Sequence, residues 1–291
     1  MSITMWKPQK SGSVLCAGCG NLVGIHDQRC MTCGRWNPGM WGFAPVLRRL
    51  GMDLGFVKIV LTGCIGLYVA ALLIDPQNIR GGMLSALSPS LRALFLFGAS
   101  GAVPVFEFGR WWTVLSAAWL HGGVLHIAFN MMWVRQLVPA TAEVYGPARM
   151  VIIYTVSGIT GFLLSSFAGY YFAAFPIPFL RGADFTVGAS APIFGLLGAL
   201  VYAGRRGVTN QLGRQAFGYA VILFIFGLIV PRIDNYGHAG GFAGGYLTAR
   251  FLDPLLPERG DHTLLALGCL VLTVLSIVFS VLLGVPILEN R

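Results

Sequence analysis

Long apolar stretches bounded by charges, prolines and glycine-rich turns constrain the fold of this chain more than any other feature. Seven of them approach the length of about 20 residues that a helix needs to cross a bilayer. They lie at residues 54–74, 113–134, 150–172, 186–203, 215–230, 236–252 and 263–285, and the fourth and fifth are short. With 56% hydrophobic and 11% charged residues and a mean hydropathy of +0.73, the sequence predicts an all-α polytopic membrane protein.

The distribution of basic residues predicts the orientation of these spans, because Lys and Arg accumulate in short cytoplasmic loops. This preference also explains most of the net charge of +9. Nucleic acid is therefore not expected as a partner. We therefore expect an integral protein of a bacterial inner membrane, with a cytoplasmic N-terminus and an outer C-terminus. In that orientation six of the 20 Lys and Arg residues fall outside, namely Arg80, Arg92, Arg110, Arg181, Arg232 and Arg291.

Four of the six cysteines form two CxxC pairs ahead of the first span. Cys16 and Cys19 make the first pair, and Cys30 and Cys33 make the second. Two such pairs supply the four thiolates of a tetrahedral zinc site. The alternative is two disulfides, which a reducing cytoplasm disfavours. We expect residues 1–36 to form a small zinc-ribbon-like domain that holds Zn²⁺.

A site closed by four cysteines leaves no open coordination position, so the zinc ion is expected to be structural rather than catalytic. The domain is interpreted as an interaction module that recruits a cytoplasmic partner. Residues 37–53 are predicted to be a linker on the membrane surface. Loss of zinc is expected to leave the activity of the membrane core largely intact.

Three polar side chains interrupt the second apolar stretch: His121, His126 and Asn130. Polar groups inside a membrane cost free energy, so they usually face the interior of a helix bundle and serve function. His126 and Asn130 are four residues apart and share one face of a helix.

A serine and a histidine lie at similar outer depth in two further spans. Ser190 is near the start of the fourth stretch, and His238 is about one turn inside the sixth. Residues 240–245 contain two overlapping GxxxG patterns, which allow another helix to approach at backbone distance. Packing of these two spans is predicted to bring Ser190 against His238.

This pairing predicts nucleophilic catalysis. A serine hydroxyl becomes a good nucleophile when a nearby base removes its proton, and neutral histidine is the usual base. The spans near His238 carry no Asp or Glu, so a Ser-His dyad is expected instead of a triad. His126, Asn130 and the Ser190 N–H are candidate donors to the oxyanion. These residues could instead be structural: a serine can hydrogen-bond to its own helix, and histidines can bridge two helices. Four such groups on three helices favour a catalytic site over these structural roles.

These residues resemble the rhomboid family of intramembrane serine proteases. "HGGVLHIAFN" is similar to the HxxxxHxxxN pattern of the family's second helix, "GASAPIFG" to its GxSGxxxG nucleophile motif, and "HAGGFAGG" to its sixth-helix motif. "EFGRWW" resembles a stretch of the large first external loop. The resemblance implies a rhomboid-like bundle of six helices over residues 54–252, and an extra C-terminal transmembrane helix over residues 253–291.

The resemblance also implies residue roles. Ser190 matches the nucleophile and His238 the general base, while His126 and Asn130 match the oxyanion donors. Phe194 corresponds to an aromatic residue that stacks on the catalytic histidine, and His121 to a supporting histidine. Glu107 and Arg110 would order the first loop. Catalysis needs no cofactor, and the implied substrates are transmembrane segments of other proteins within the lipid bilayer.

One position departs from the family pattern: the glycine after the nucleophile is Ala191, followed by Pro192. A methyl group here would narrow the approach to the oxyanion, so a catalytically inactive rhomboid-like protein that binds membrane clients stays open as an alternative. A channel or transporter would carry charged residues deep in several spans, and these are missing.

Overall fold

The computed structural model contains ten α-helices and one two-stranded sheet, counted over the residues that it describes. Arg80 and Arg291, which the charge count assigned to the outer side, lie outside those residues. The described residues are 7–49, 51–79, 81, 86–177, 180–208 and 210–289.

The head, defined here as residues 7–36, contains the sheet. Strands β1 (Ser13–Leu15) and β2 (Leu22–Gly24) pair antiparallel, with Val14 opposite Val23. Both valines are buried in a small apolar cluster that includes two of the cysteines. Such a cluster is too small to stabilise a fold alone, so the head depends on a bound metal or on contacts with the rest of the chain.

The helices follow in chain order, and each of the seven predicted apolar stretches contains helical residues. They are α1 (Ala44–Arg48), α2 (Phe56–Ile74), α3 (Leu91–Phe97), α4 (Thr113–Ser116), α5 (Val124–Tyr145), α6 (Pro147–Tyr171), α7 (Ser190–Arg205), α8 (Asn210–Ile229), α9 (Asn235–Phe251) and α10 (Gly260–Glu289). Short 3₁₀ turns occupy Met40–Gly42, Pro76–Asn78 and Ala117–Trp119, and Val103–Glu107 forms a π-helical turn.

Four of these helices, α2, α6, α8 and α10, are each long and apolar enough to cross a membrane. A fifth candidate span is a broken one: residues 113–119 and α5 are bent by 93°. The second span is therefore not the continuous helix that the sequence predicted, because Gly122 and Gly123 precede α5 and favour a break. The fourth and fifth spans were predicted to be short. The fourth, α7, is short with 16 residues, whereas the fifth, α8, has 20. Helix α9, the sixth span, has 17 residues.

Helices α6 and α7 form the centre of the bundle. The apolar segment of α6 is 61% buried, against 22% in each of α2, α8 and α10. Leu196, Leu197 and Leu200 of α7 are fully buried. On α8, by contrast, Ile222 and Phe226 are 64% and 51% exposed. These exposed apolar faces suit contact with lipid. The buried polar residues of the predicted site lie elsewhere, on helices nearer the centre of the bundle or next to them.

Candidate active site

Helix α9 has two glycine faces that pack against two different helices. Cβ atoms added at Gly241 and Gly245 would collide with backbone oxygens of α7. A Cβ atom added at Gly240 would lie 2.8 Å from the Thr160 carbonyl oxygen of α6, and one at Gly244 would collide with the Thr160 hydroxyl. The two overlapping GxxxG patterns therefore hold α9 at backbone distance from both α7 and α6.

Ser190 is the first residue of α7 and is half-buried. Its hydroxyl has no hydrogen-bond partner in the described part of the chain, so it is not bonded to its own helix. Gly188, two residues earlier, has φ +129°, a conformation that side chains rarely adopt. Pro192 is the third helical residue, where its missing N–H removes no helical hydrogen bond.

His238 lies in the first turn of α9 and is 6% exposed. Its imidazole is stacked on the ring of Phe194, with a centroid distance of 4.1 Å and an interplanar angle of 14°. Phe194 is one helical turn after Ser190, so His238 lies beside the face of α7 that begins with the serine. Its Nδ1 atom is buried without a partner among the described residues.

His126 lies against the segment that leads into α7. The N–H of Gly122 donates to His126 Nδ1 at 3.3 Å, so the neutral ring carries its proton on Nε2. Nε2 faces the backbone at Gly188, where an added Cβ atom would lie 2.6 Å away. The amide of Asn130 donates one proton to the His126 carbonyl at 2.8 Å, which leaves its second proton available.

His121 precedes α5, the helix that carries His126, although both histidines belong to the second predicted span. The two imidazoles are nonetheless in contact, edge to face, with centroids 5.2 Å apart. His121 is fully buried, and neither ring nitrogen has a partner among the described residues.

Residues 110–112, which precede α4, are joined to α10, a link that sequence reasoning missed. Arg110 is 1% exposed and donates hydrogen bonds to the carbonyls of Phe95 and Ser280, both at 2.7 Å. The indole of Trp112 donates to the Ser280 hydroxyl at 3.0 Å, and the Ser276 hydroxyl donates to the Trp112 carbonyl. Glu107, which the family resemblance also implied would order the first loop, is exposed.

Asp234 is a second residue that sequence reasoning missed. Its carboxylate accepts the N–H of Gly237 at 2.9 Å and caps α9, the helix that carries His238. It also accepts the hydroxyl of Thr186, which lies in the segment that leads into α7. The available signal was an aspartate directly before a helical stretch, the position where capping residues are favoured.

The four head cysteines converge on one point. Their Sγ atoms all lie within 4.8 Å of one another, and the Cys16–Cys33 and Cys19–Cys30 Sγ separations are 3.7 and 3.6 Å. These distances exclude disulfide bonds, which are about 2.05 Å long, and suit a tetrahedral ion with bonds of about 2.3 Å to sulfur. Burial raises the pKa of the Cys16 thiol. The charge of a bound metal ion would hold that thiol deprotonated.

Comparison with known proteins shows what this chain is similar to. The sequence pattern of the Rhomboid domain matches residues 108–254. Over 205 residues the chain is 33% identical to the Rhomboid protease GluP of Bacillus subtilis, which covers 69% of this chain and 36% of that protein. RHOMBOID-like protein 4 of Arabidopsis thaliana is 31% identical over 175 residues, 59% of this chain and 41% of the relative.

One relative carries a different description. Inactive RHOMBOID-like protein 8 of Arabidopsis thaliana is 29% identical over 161 residues, which cover 54% of this chain and 42% of that protein. The matches to all three relatives thus span less than half of their length. The matched domain and the extent of identity to the Bacillus subtilis protease show the family: this chain belongs to the rhomboid family.

Proposed function

We propose that this chain is an intramembrane serine endopeptidase that hydrolyses peptide bonds in transmembrane segments of other membrane proteins. The observation that carries the proposal is the stacking of His238 on Phe194 at 4.1 Å, which holds the imidazole beside the start of α7. Ser190 stands at that start with an uncommitted hydroxyl. No carboxylate of the described residues bonds to the buried Nδ1 of His238, so the pair acts as a dyad.

In the proposed reaction the Ser190 oxygen attacks the scissile carbonyl carbon while its proton passes to His238. The C–N bond then breaks, and His238 returns the proton to the leaving amine. Water attacks the resulting acyl ester with His238 as base, which releases the acid and restores Ser190. Stacking on Phe194 fixes the plane of the imidazole through both steps.

The oxyanion is stabilised by donors on both sides of the serine. The first N–H groups of α7 have no acceptor within the helix, and the helix dipole favours negative charge there. His126 contributes its Nε2 proton, since Nδ1 already accepts the Gly122 N–H, and Asn130 contributes its second amide proton. Removal of one such donor typically costs about 3 kcal/mol of transition-state stabilisation.

Ala191 is compatible with this chemistry. Its side chain is 2% exposed and points toward α6, where a Cβ atom added at Gly161 would lie only 2.7 Å from the Ala191 Cβ. Gly161 thus makes room for the methyl group on the side of α7 that faces α6. The departure from the family glycine leaves the backbone N–H of residue 191 in place.

The same proposal includes the location of the chain in the membrane and the metal ion of the head. The chain lies in a bacterial inner membrane with its N-terminus in the cytoplasm, as the charge distribution favours, and its substrates enter from the lipid bilayer. The head holds a structural Zn²⁺ ion through Cys16, Cys19, Cys30 and Cys33, which supplies folding free energy to a segment with little apolar core.

The second candidate function is that of an inactive member that binds membrane clients, with the head recruiting a cytoplasmic partner. The relative described as inactive favours it. A fluorophosphonate probe, which reacts with activated serines, separates the two candidates. The protease proposal expects labelling of the purified protein and cleavage of single-span substrates, both lost in Ser190→Ala and His238→Ala. Ser165→Ala is the matched control, because Ser165 is a buried serine of α6 outside the site. Labelling that persists in Ser190→Ala would exclude Ser190 as the nucleophile.

A further inference from the structure

Glu258, in the segment that joins α9 to α10, caps the first turn of α6. Its side chain is 5% exposed. One carboxylate oxygen accepts the N–H groups of Ala148 and Arg149 at 2.7 and 3.1 Å. These N–H groups belong to the start of α6, where no acceptor exists within the helix. A single buried carboxylate therefore holds the end of the most buried long helix.

The other oxygen of Glu258 accepts a hydrogen bond from the guanidinium of Arg35, which belongs to the head. The Arg35 side chain is 6% exposed, so the ion pair is buried on both sides. The two residues are 223 positions apart in the sequence. Loss of one partner from such a pair leaves an uncompensated buried charge, which is strongly destabilising.

Arg35 is built into the cysteine cluster. Its carbonyl accepts the N–H of Cys30 at 2.9 Å, and it follows Cys33 by two residues. Its Cδ atom would lie 3.2 Å from a Cβ atom added at Gly18, in the other cysteine pair. The position of the Arg35 guanidinium therefore depends on both CxxC pairs. A bound metal ion would hold these two pairs together.

Neighbouring contacts widen this junction. A Cβ atom added at Gly34 would lie 3.0 Å from the Pro257 ring. One added at Gly260, the first residue of α10, would lie 2.8 Å from the indole of Trp36. Residues 34–36 of the head thus contact residues 257–260, and a side chain added at Gly34 or Gly260 would press on Pro257 or Trp36.

We propose that the head docks on the core through Arg35 and that metal binding by the four cysteines holds this docked state. Bound metal fixes the two CxxC pairs relative to each other, which keeps Arg35 on Glu258 and Glu258 on the start of α6. Without metal the head unfolds, Arg35 leaves, and the cap on α6 loosens. This departs from the expectation that the core is indifferent to zinc, and it stands independently of the proposed protease function.

Amide hydrogen exchange of the purified full-length chain in detergent tests this link, because the Ala148 and Arg149 N–H groups bond to Glu258 directly. Removal of zinc with a chelator is expected to speed their exchange by about tenfold or more, and added zinc to restore it. Arg35→Ala should give the same faster exchange while zinc is still bound. In this variant, further removal of zinc should have little additional effect at residues 148 and 149.

Two variants control the experiment. Arg29→Ala removes an exposed arginine of the head and should leave exchange at residues 148 and 149 unchanged. Arg35→Lys retains the positive charge and should restore part of the protection. Zinc content, measured for each variant, verifies that the head is folded. Exchange at residues 148 and 149 that stays unchanged after verified zinc loss overturns the proposal, whereas the protease proposal is decided separately by labelling at Ser190.

Discussion

The hydroxyl of Thr186 donates a hydrogen bond to the carboxylate of Asp234 at 2.6 Å. Thr186 lies four residues before Ser190, and Asp234 lies four residues before His238. The backbone of Thr186 is in turn paired with Ser100, through N–O distances of 2.8 and 3.1 Å. One side-chain contact therefore joins the segments that lead into α7 and α9, the two helices that carry the proposed dyad.

Thr186→Val, which replaces the hydroxyl with a methyl group of similar size, should lower the free energy of unfolding. A hydrogen bond to a charged group contributes about 1.5–3 kcal/mol. The variant should also react more slowly with a fluorophosphonate, because the two helix starts lose their link. Thr186→Ser keeps the hydroxyl and serves as the control. Equal labelling rates for the valine and serine variants would mean that this contact does not position the dyad.

Phe194→Ala should impair labelling of Ser190 beyond what lost stability explains. Phe194 is 3% exposed, and removal of a buried phenylalanine typically costs about 3–5 kcal/mol. Phe162→Ala, at a residue of α6 that is 2% exposed, creates a comparable cavity without removing the ring stacked on His238. Labelling is compared at a temperature where both variants remain folded by circular dichroism. Equal labelling rates for the two variants would mean that stacking on Phe194 does not position His238.

Gly245→Ala should destabilise the bundle because the new methyl group collides with the backbone oxygen of Gly195 on α7. Overpacking of this kind costs about 1–3 kcal/mol. Gly268→Ala in α10 is the matched control, since an added Cβ atom there has no neighbour within 4 Å. Its effect should be neutral or slightly stabilising, because alanine favours helix. Midpoints of thermal unfolding in detergent distinguish the two, and equal midpoints would contradict the close α7–α9 contact.

The purified chain should contain one zinc ion, and Cys19→Ser should lose it. Four sulfurs within 4.8 Å of one another provide the complete ligand set, so removal of any one opens the site. His26→Ala should retain the metal, since His26 is exposed and lies outside the cluster. Metal analysis by mass spectrometry after gel filtration measures the ratio. Retention of a full equivalent in Cys19→Ser would show that the ligand assignment is wrong.

Hydropathy and residue spacing alone located most of this architecture. Membrane spans are readable because a helix in lipid must satisfy its backbone internally and cover about 20 residues with apolar side chains. The CxxC pairs were readable because each places two thiolates close together by local geometry. The pairing of Ser190 with His238 is predictable because both residues lie near the starts of glycine-rich stretches, which can pack at backbone distance.

Boundaries set by local backbone geometry were predicted less well. The second span is broken before Val124, which places His121 outside the helix. Hydropathy averages over many residues and does not register the Gly122–Gly123 break. The start of α8 differs for the same reason, since the stretch predicted at residues 215–230 leaves out residues 210–214, with which the helix begins.

What the sequence by itself determined is therefore the set of helices, the cysteine cluster and the polar residues that need partners. Only the tertiary structure decided which distant residues meet: Thr186 with Asp234, Arg110 with Ser280, and Arg35 with Glu258. The physical reason is that periodicity and composition act within one segment, whereas these contacts depend on how glycine faces and buried charges bring distant segments together in three dimensions.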